Sequence, residues 1–285
     1  MAKKISLWRQ DSTRETVAMA LREDLGGQDI TSMLTVPPSL KARARLLARQ
    51  AGVAAGLPLL ELVYAGLDPK ARVKLKVKEG RAFPEGAVLA EVEGLARSLL
   101  AGERVALNFL QRLCGIATLT RAYVDAVAFS RARILDTRKT TPGLRALEKY
   151  AVACGGGVNH RATLAEAVLI KDNHIQAAGG LMRAVALARQ YTQGSLPIEV
   201  EAEDLRQVQE ALDAQAEIIL LDNMSPGLMK KAVELASGRA VTEASGGITL
   251  QTVADAARSG VDRISVGALT HSAPALDLSL EFAKA

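Results

Sequence analysis

Aromatic, cysteine and histidine residues are all scarce in this 285-residue sequence, and each shortage excludes a class of protein. With aromatics at 3%, the chain lacks the stacking platforms on which many single-strand nucleic-acid binders depend. Cys114 and Cys154 are far apart and form neither a disulfide framework nor a CxxC zinc motif. The only histidines, His160, His174 and His271, are too few for an ordinary multi-histidine metal centre. Oxygen ligands for magnesium are the one metal arrangement left open.

Long hydrophobic runs and a strong excess of one charge are also missing. No apolar run approaches the ~18 residues of a membrane span, and the segment before Arg9 is too short for a signal-peptide core. We therefore expect a cytoplasmic protein with no membrane partner. The 49% hydrophobic content excludes wholesale disorder. A net charge of +5 suits anionic ligands, and without aromatic interleaving it favours small anions over nucleic acid.

Two patterns of secondary structure divide the chain. Residues 1–103 predict a separate domain in which an antiparallel sheet is flanked by helix. The strictly alternating VKLKV at 73–77 is typical of a half-buried strand of that sheet. A long helical segment with few breakers follows at 99–128.

From residue 133 onward, short apolar runs end abruptly in polar residues, and helical stretches separate most of these runs. This alternation indicates βα units and a parallel sheet. Six such units, or seven if one lies between 140 and 165, predict a closed or nearly closed barrel over 104–270. We expect the tail at 271–285 to pack with the first domain. In such barrels the chemistry lies at the carboxyl ends of the strands.

Four cations follow predicted strands or glycines: Arg138 and Lys139 in DTRKTTPG (136–143), Arg161 after GGGVNH, and Lys171 after VLI. Guanidinium groups bind carboxylate or phosphate through two hydrogen bonds, whereas an ammonium acts as a point charge. A solvated basic turn is the alternative for the first pair. For Lys171 the alternative is a structural salt bridge, because an unpaired half-buried ammonium is costly.

Two carboxylates and two glycine-rich turns complete the pattern. Glu201 and Asp222 end successive strands and are candidate magnesium ligands, or partners of Lys171 and Arg161. The turn after residue 244 and the one after residue 266 are each suited to an anion, through exposed backbone N–H groups. The combination indicates one polyanionic substrate and one phosphorylated substrate.

At these residues the sequence resembles the quinolinate phosphoribosyltransferase family across nearly its whole length. Small departures are Gln28 and Gln215 in place of usual glycines, and Cys114 where serine is common. The matching segments are EDLGGQDITS (23–32), GERVALNFLQRLCGIATLTR (102–121), ILDTRKTTPGLRALEKYAVACGGGVNHR (134–161), LIKDNHI (169–175), IEVEAE (198–203), ILLDNMSP (219–226), EASGGIT (243–249) and ISVGALTHSAPALDLSL (264–280).

The resemblance implies an N-terminal open-faced α/β sandwich plus an incomplete α/β barrel, the type II phosphoribosyltransferase architecture. It also implies transfer of phosphoribosyl from phosphoribosyl pyrophosphate to quinolinate with loss of CO2, which gives nicotinate mononucleotide for NAD biosynthesis. Magnesium is the implied cofactor. The implied assembly is a homodimer with shared active sites, or a larger oligomer. A ModD-like relative with another acceptor remains the alternative.

The resemblance also implies a role for each site residue. Lys139, Lys171, Glu201 and Asp222 are expected to be catalytic, with Glu201 and Asp222 holding magnesium directly or through water or substrate. The expected quinolinate contacts are Arg104 (from the partner subunit), Thr137, Arg138, Lys139, His160, Arg161 and Lys171. The expected phosphoribosyl pyrophosphate contacts are Glu201, Asp222, Ser245, Gly246, Gly247, Gly267, Ala268 and His271.

Overall fold

The computed structural model describes residues 7–283, which form a short 3-10 helix (Leu7–Arg9), eleven α-helices and twelve β-strands. The strands are β1 (Lys41–Ala48), β2 (Gly52–Val53), β3 (Arg72–Leu75), β4 (Ala82–Phe83), β5 (Val88–Leu95), β6 (Arg133–Leu135), β7 (Val168–Ile170), β8 (Ile198–Ala202), β9 (Ile218–Asp222), β10 (Val241–Ser245), β11 (Arg263–Ser265) and β12 (Leu278–Phe282). The helices are α1 (Asp11–Leu25), α2 (Ile30–Thr35), α3 (Leu59–Ala65), α4 (Ala96–Ala126), α5 (Arg145–Cys154), α6 (Asp172–Ala178), α7 (Leu181–Thr192), α8 (Leu205–Asp213), α9 (Pro226–Ala236), α10 (Val253–Arg258) and α11 (Ala268–His271).

Two compact units divide the described residues. Unit 1 comprises 7–119, 141–156 and 273–283, and unit 2 comprises 120–140 and 157–272. The division differs from the predicted boundary after residue 103, because α4 runs unbroken through that point. Gly102 does not interrupt the helix. A Cβ there would lie 2.8 Å from the Tyr64 ring, so close packing against Tyr64 requires the glycine.

Unit 1 contains an antiparallel sheet with the strand order β12-β1-β5-β3. Its central strand β1 alternates as expected for a half-buried strand: Ala44, Leu46 and Ala48 are buried, whereas Arg43 and Arg45 are exposed. The strand β12, from the end of the chain, pairs with β1 and adds an outer strand to this sheet. This sheet and the helices of unit 1 correspond to the predicted α/β sandwich.

Unit 2 contains a six-stranded parallel sheet with the order β6-β11-β10-β9-β8-β7. The order is that of an incomplete barrel, with β6 and β7 at its two ends. Between residues 140 and 165, where a seventh strand was conceivable, the chain forms α5 and then a single bridge between Val158 and Leu135. The predicted fold class, an α/β sandwich with an incomplete α/β barrel, is confirmed.

Local sequence signals explain where two helices of unit 2, α8 and α9, begin. The Asp204 side chain accepts a hydrogen bond from the Gln207 backbone N–H and caps α8. Ser225 caps α9, and Pro226 occupies its first turn, where no backbone donor is needed. These caps start the helices that follow β8 and β9. No helix formed by residues 7–283 combines the length and apolar character that crossing a membrane requires.

Candidate active site

A cavity of about 560 Å³ lies in unit 2 at the carboxyl ends of the parallel strands. The strands bring together residues that are up to 128 positions apart in the sequence, from Thr137 to Ser265. Eleven of the residues predicted for the site line this cavity: Thr137, Arg138, Lys139, His160, Arg161, Lys171, Glu201, Asp222, Ser245, Gly246 and Gly247. The position agrees with the general location of active sites in α/β barrels.

Four other predicted site residues do not line this cavity. Gly267, Ala268 and His271 follow β11 and belong to the turn and short helix α11. A Cβ on Gly267 would lie 3.1 Å from His271 Nε2 and 3.2 Å from Lys139 Cδ. This segment therefore packs against Lys139, which does line the cavity. Arg104, the fourth, is exposed on α4 in unit 1. The binding roles of all four residues remain predictions.

Lys171 has the carboxylate partner that its position after β7 required. Its Nζ lies 2.6 Å from Glu201 Oε2, and its side chain is 47% exposed against 10% for Glu201. The Lys171 backbone N–H donates to His174 Nδ1 at 3.0 Å, which ties the residue to the first turn of α6. The sequence KDNH thus explains how an ammonium is held at this strand end. The pair leaves the exposed part of Lys171 facing the cavity.

Two guanidinium groups share the cavity and disfavour each other. Burial and the positive charge of Arg138 lower the pKa of Arg161 below its usual value, and Glu199 partly opposes that effect. Arg161 Nη1 donates to the Ala167 carbonyl at 2.9 Å, which fixes the direction of the side chain. An anionic ligand would relieve the repulsion between the two cations. The site therefore favours substrates that carry carboxylate groups.

Asp222 ends β9 and offers a second acidic group to the cavity. Its Oδ2 accepts a hydrogen bond from Asn223 Nδ2 at 2.8 Å. Glu201 Oε2 is occupied by Lys171, so each carboxylate has one oxygen engaged and one oxygen without a donor among residues 7–283. Hard oxygen donors of this kind fit magnesium, which usually binds through one or two carboxylates together with substrate phosphates.

The backbone after β10 forms a tight turn at Gly246 and Gly247. Their φ angles of +93° and +59° lie in the left-handed region that side chains rarely adopt. A Cβ on Gly246 would also lie 2.2 Å from Asn223 Oδ1. Glycine is therefore required at position 246 for both backbone and space. The turn presents backbone to the cavity, as a phosphate-binding turn must.

A buried cluster beneath His160 was not predicted. His160 Nε2 lies 3.1 Å from Glu199 Oε2 and 3.6 Å from Glu243 Oε1, and the Ser265 hydroxyl donates to Glu243. The Arg161 backbone N–H donates to His160 Nδ1 at 2.8 Å, which places the ring proton on Nε2. A metal ion would need the Nε2 lone pair. The arrangement therefore suits a hydrogen-bonded cluster better than a metal site.

One sequence signal could have found Glu199 of this cluster. In IEVEA the two glutamates are separated by one residue, so Glu199 and Glu201 share one face of β8. Two acidic residues on one face of a buried strand indicate a polar barrel interior. Glu243 gives no comparable signal, because its neighbours on β10 alternate less clearly.

The Glu243 carboxyl is expected to make stability depend on pH. Burial and the nearby Glu199 charge raise its pKa to about 7, while His160, Ser265 and Arg263 partly counteract them. Since the folded-state pKa exceeds the ordinary value of 4.5, stability from the neutral form is lost as the pH rises towards 7. We expect Glu243→Gln to unfold about 3–8 °C above the wild type at pH 8, with a smaller difference at pH 5.

Thermal unfolding followed by circular dichroism across pH 5–8 checks this expectation. Glu93→Gln is the matched control, because Glu93 forms only an exposed pair with Arg43 at 3.4 Å. A Glu243→Gln variant that is less stable than the wild type at pH 8 would contradict the expected direction.

Fold and site together define an α/β-barrel enzyme that binds anionic and phosphorylated substrates. The chain matches the N-terminal domain model of quinolinate phosphoribosyl transferase over residues 29–114 and the C-terminal domain model over residues 116–281. The chain therefore belongs to the quinolinate phosphoribosyltransferase family, which confirms the resemblance seen in the sequence.

Individual relatives agree over most of their length. A probable nicotinate-nucleotide pyrophosphorylase [carboxylating] from Synechocystis is 46% identical over 267 residues, covering 93% of this chain and 90% of that protein. Quinolinate phosphoribosyltransferase [decarboxylating] 2b from Nicotiana tabacum is 42% identical and covers 94% and 81%. Among solved structures, NadC from Streptococcus pyogenes superposes with a TM-score of 0.90 at 42% identity, covering 95% of this chain and 96% of that chain.

Proposed function

We propose that this protein transfers the phosphoribosyl group of phosphoribosyl pyrophosphate to quinolinate, with release of pyrophosphate and CO2 and formation of nicotinate mononucleotide. The observation that carries the proposal is the composition of one cavity. It combines two guanidinium groups and two ammonium groups with three acidic side chains and a glycine turn. The activities for which the relatives are named agree with this chemistry. Nothing in the geometry favours the ModD-like alternative.

The cations explain why the acceptor has two carboxylates. Arg138 and Arg161 repel each other, and among residues 7–283 Lys171 is paired with Glu201 whereas Lys139 forms no ion pair. Quinolinate would supply two negative charges to this group of cations. Nicotinate carries one carboxylate and would leave a cation without compensation, which is costly in a partly buried site. Thr137 and His160 would complete the wall around the pyridine ring.

The donor substrate would occupy the opposite part of the cavity. As the bond between C1 of the ribose and the pyrophosphate oxygen breaks, positive charge develops on the ribose. Glu201 and Asp222 are placed to stabilise that charge. The Ser245–Gly246–Gly247 turn would hold the 5′-phosphate, together with Gly267, Ala268 and His271. Magnesium held by Glu201 and Asp222 would neutralise the leaving pyrophosphate.

Decarboxylation would follow attachment of the ribose to the ring nitrogen. The positive ring nitrogen stabilises the electron pair left on C2 when CO2 departs. The surrounding cations stabilise the same electron pair. A proton must then reach C2 to form nicotinate mononucleotide. Lys139 and Lys171 are the ammonium groups that line the cavity, and we assign this proton transfer to one of them.

For the assembly we propose a homodimer, or a larger oligomer built from it, with Arg104 acting in the partner's site. Arg104 is exposed, and its guanidinium forms no ion pair with residues 7–283. Our proposal for location is the cytoplasm, where the two cysteines, free in the structure, would stay reduced.

A single assay tests the proposed reaction. Purified protein is incubated with magnesium, phosphoribosyl pyrophosphate and either quinolinate or nicotinate, and both the nucleotide product and CO2 are followed. We expect turnover with quinolinate, one CO2 for each nucleotide formed, and none with nicotinate. Turnover with nicotinate alone, or with neither acceptor, would contradict the proposal.

A further inference from the structure

Asn223 follows β9 directly, and its backbone adopts an unusual conformation. Its φ angle of +53° lies in the left-handed region, where residues other than glycine are uncommon and asparagine is among the more tolerant. Three other non-glycine residues between 7 and 283 share this conformation: Gln193, Gln215 and Ser237. Each of those three follows the end of a helix. Asn223 instead lies at a strand end and lines the cavity.

The Asn223 side chain and backbone contact both halves of the donor-substrate region. Its Nδ2 donates to Asp222 Oδ2 at 2.8 Å, and its backbone N–H donates to the Ser245 carbonyl at 2.9 Å. Its Oδ1 lies so close to Gly246 that a Cβ built on that glycine would be only 2.2 Å away from it. The left-handed turn places the amide against both Asp222 and the glycine turn. One residue therefore connects the acidic group with the proposed phosphate-binding turn.

This connection has a chemical consequence for Asp222. A carboxylate that accepts a hydrogen bond at Oδ2 cannot rotate freely, so Oδ1 keeps one direction. The amide also lies against Gly246, which limits how far the turn can move. A residue at position 223 without a side-chain hydrogen-bond donor would let both the Asp222 carboxylate and the glycine turn move.

We propose that Asn223 is a positioning residue, which orients the Asp222 carboxylate and fixes the Ser245–Gly247 turn for binding of phosphoribosyl pyrophosphate with magnesium. The inference rests on the proposed function, since that function assigns the donor substrate to this part of the cavity. The residue acts through Asp222 and the turn, with no part in bond breaking. Its loss should therefore affect the donor substrate and magnesium much more than the acceptor.

Asn223→Gly is the decisive variant, because glycine keeps the left-handed backbone and removes only the amide. We expect the Kd for phosphoribosyl pyrophosphate with magnesium, measured by calorimetry, to rise about 10- to 100-fold. In turnover, KM for phosphoribosyl pyrophosphate and the magnesium concentration for half-maximal activity should rise together. KM for quinolinate should change less than about twofold, and the unfolding temperature should not fall.

Two further variants separate positioning from backbone effects. Asn223→Asp keeps the shape and replaces the donor with an oxygen facing Asp222, so it should weaken donor binding at least as much as Asn223→Gly. Gln215→Gly is the matched control: φ at Gln215 is +59°, but it lies after α8 and outside the cavity. This control should bind and react as the wild type does. A structural role alone would change stability without separating the two substrates.

The outcomes can be told apart. Unchanged donor binding and magnesium dependence in Asn223→Gly would overturn the inference. Equal losses for donor and acceptor would also overturn it. Wild-type protein that binds phosphoribosyl pyrophosphate but does not convert quinolinate would overturn the proposed reaction, and the calorimetric comparison would still decide the role of Asn223. Wild-type protein that does not bind phosphoribosyl pyrophosphate would overturn both.

Discussion

Replacing Lys171 by methionine is expected to lower kcat/KM for quinolinate by about 100- to 1,000-fold. Methionine keeps most of the length of the side chain and removes the ammonium that lies 2.6 Å from Glu201 Oε2. Two effects then add: the acceptor loses one cation, and the nearly buried Glu201 carboxylate is left without its partner. Steady-state kinetics with each substrate varied in turn measures the loss.

The stability of the same variant separates catalysis from structure. An unpaired Glu201 should lower the unfolding temperature by a few degrees, since an unsatisfied buried acceptor costs roughly 1–3 kcal/mol. Adding Glu201→Gln should restore most of that stability and none of the activity. Lys76→Met is the control, because Lys76 forms a comparable pair with Glu91 at 2.8 Å in unit 1. Wild-type kinetics in Lys171→Met would contradict the assignment of this residue to the acceptor site.

Mixing two inactive variants is expected to restore activity if subunits share their sites. In a dimer formed from Arg104→Ala and Lys171→Met chains, one of the two sites would contain both mutations and the other neither. Random exchange makes about half of the dimers mixed, so about a quarter of the wild-type activity should return. Each variant alone should retain little activity, because each removes a cation proposed to bind quinolinate.

A matched mixture makes this result specific. Arg138 and Lys171 line the same cavity of unit 2, so mixing Arg138→Ala with Lys171→Met leaves every site defective and should restore nothing. Size-exclusion chromatography of the mixtures must show the same oligomer in both cases. Recovery in neither mixture, with subunit exchange demonstrated, would count against a shared site.

The sequence predicts much of the barrel because its βα units repeat a local signal. Each parallel strand is a short apolar run that ends in polar residues, and this pattern placed Lys171, Glu201 and Asp222 at strand ends, where the structure has them. Residues from different strands meet in one cavity as a consequence of parallel topology. The pairing of Lys171 with Glu201 was among the alternatives that the sequence left open.

Features that depend on distant contacts were not predictable in the same way. The helix α5 belongs to unit 1, although it lies in the sequence between β6 and β7 of unit 2. The cluster of His160, Glu199 and Glu243 requires three separate strands and loops to meet. Local patterns carry no information about such meetings. The left-handed backbone of Gln215 is a partial exception, because the resemblance already marks that position as a usual glycine.

The pairing of β12 with β1 also constrains the order in which the protein can fold during synthesis. Translation delivers β1 early, yet its neighbour Leu278–Phe282 emerges only after all six strands of unit 2. A nascent chain therefore carries an open sheet edge in unit 1 while unit 2 already has every strand it needs. Strands so far apart in the sequence pair slowly, because closing the long chain between them costs conformational entropy. The free edge of β1 can therefore be covered only after Leu278–Phe282 has left the ribosome.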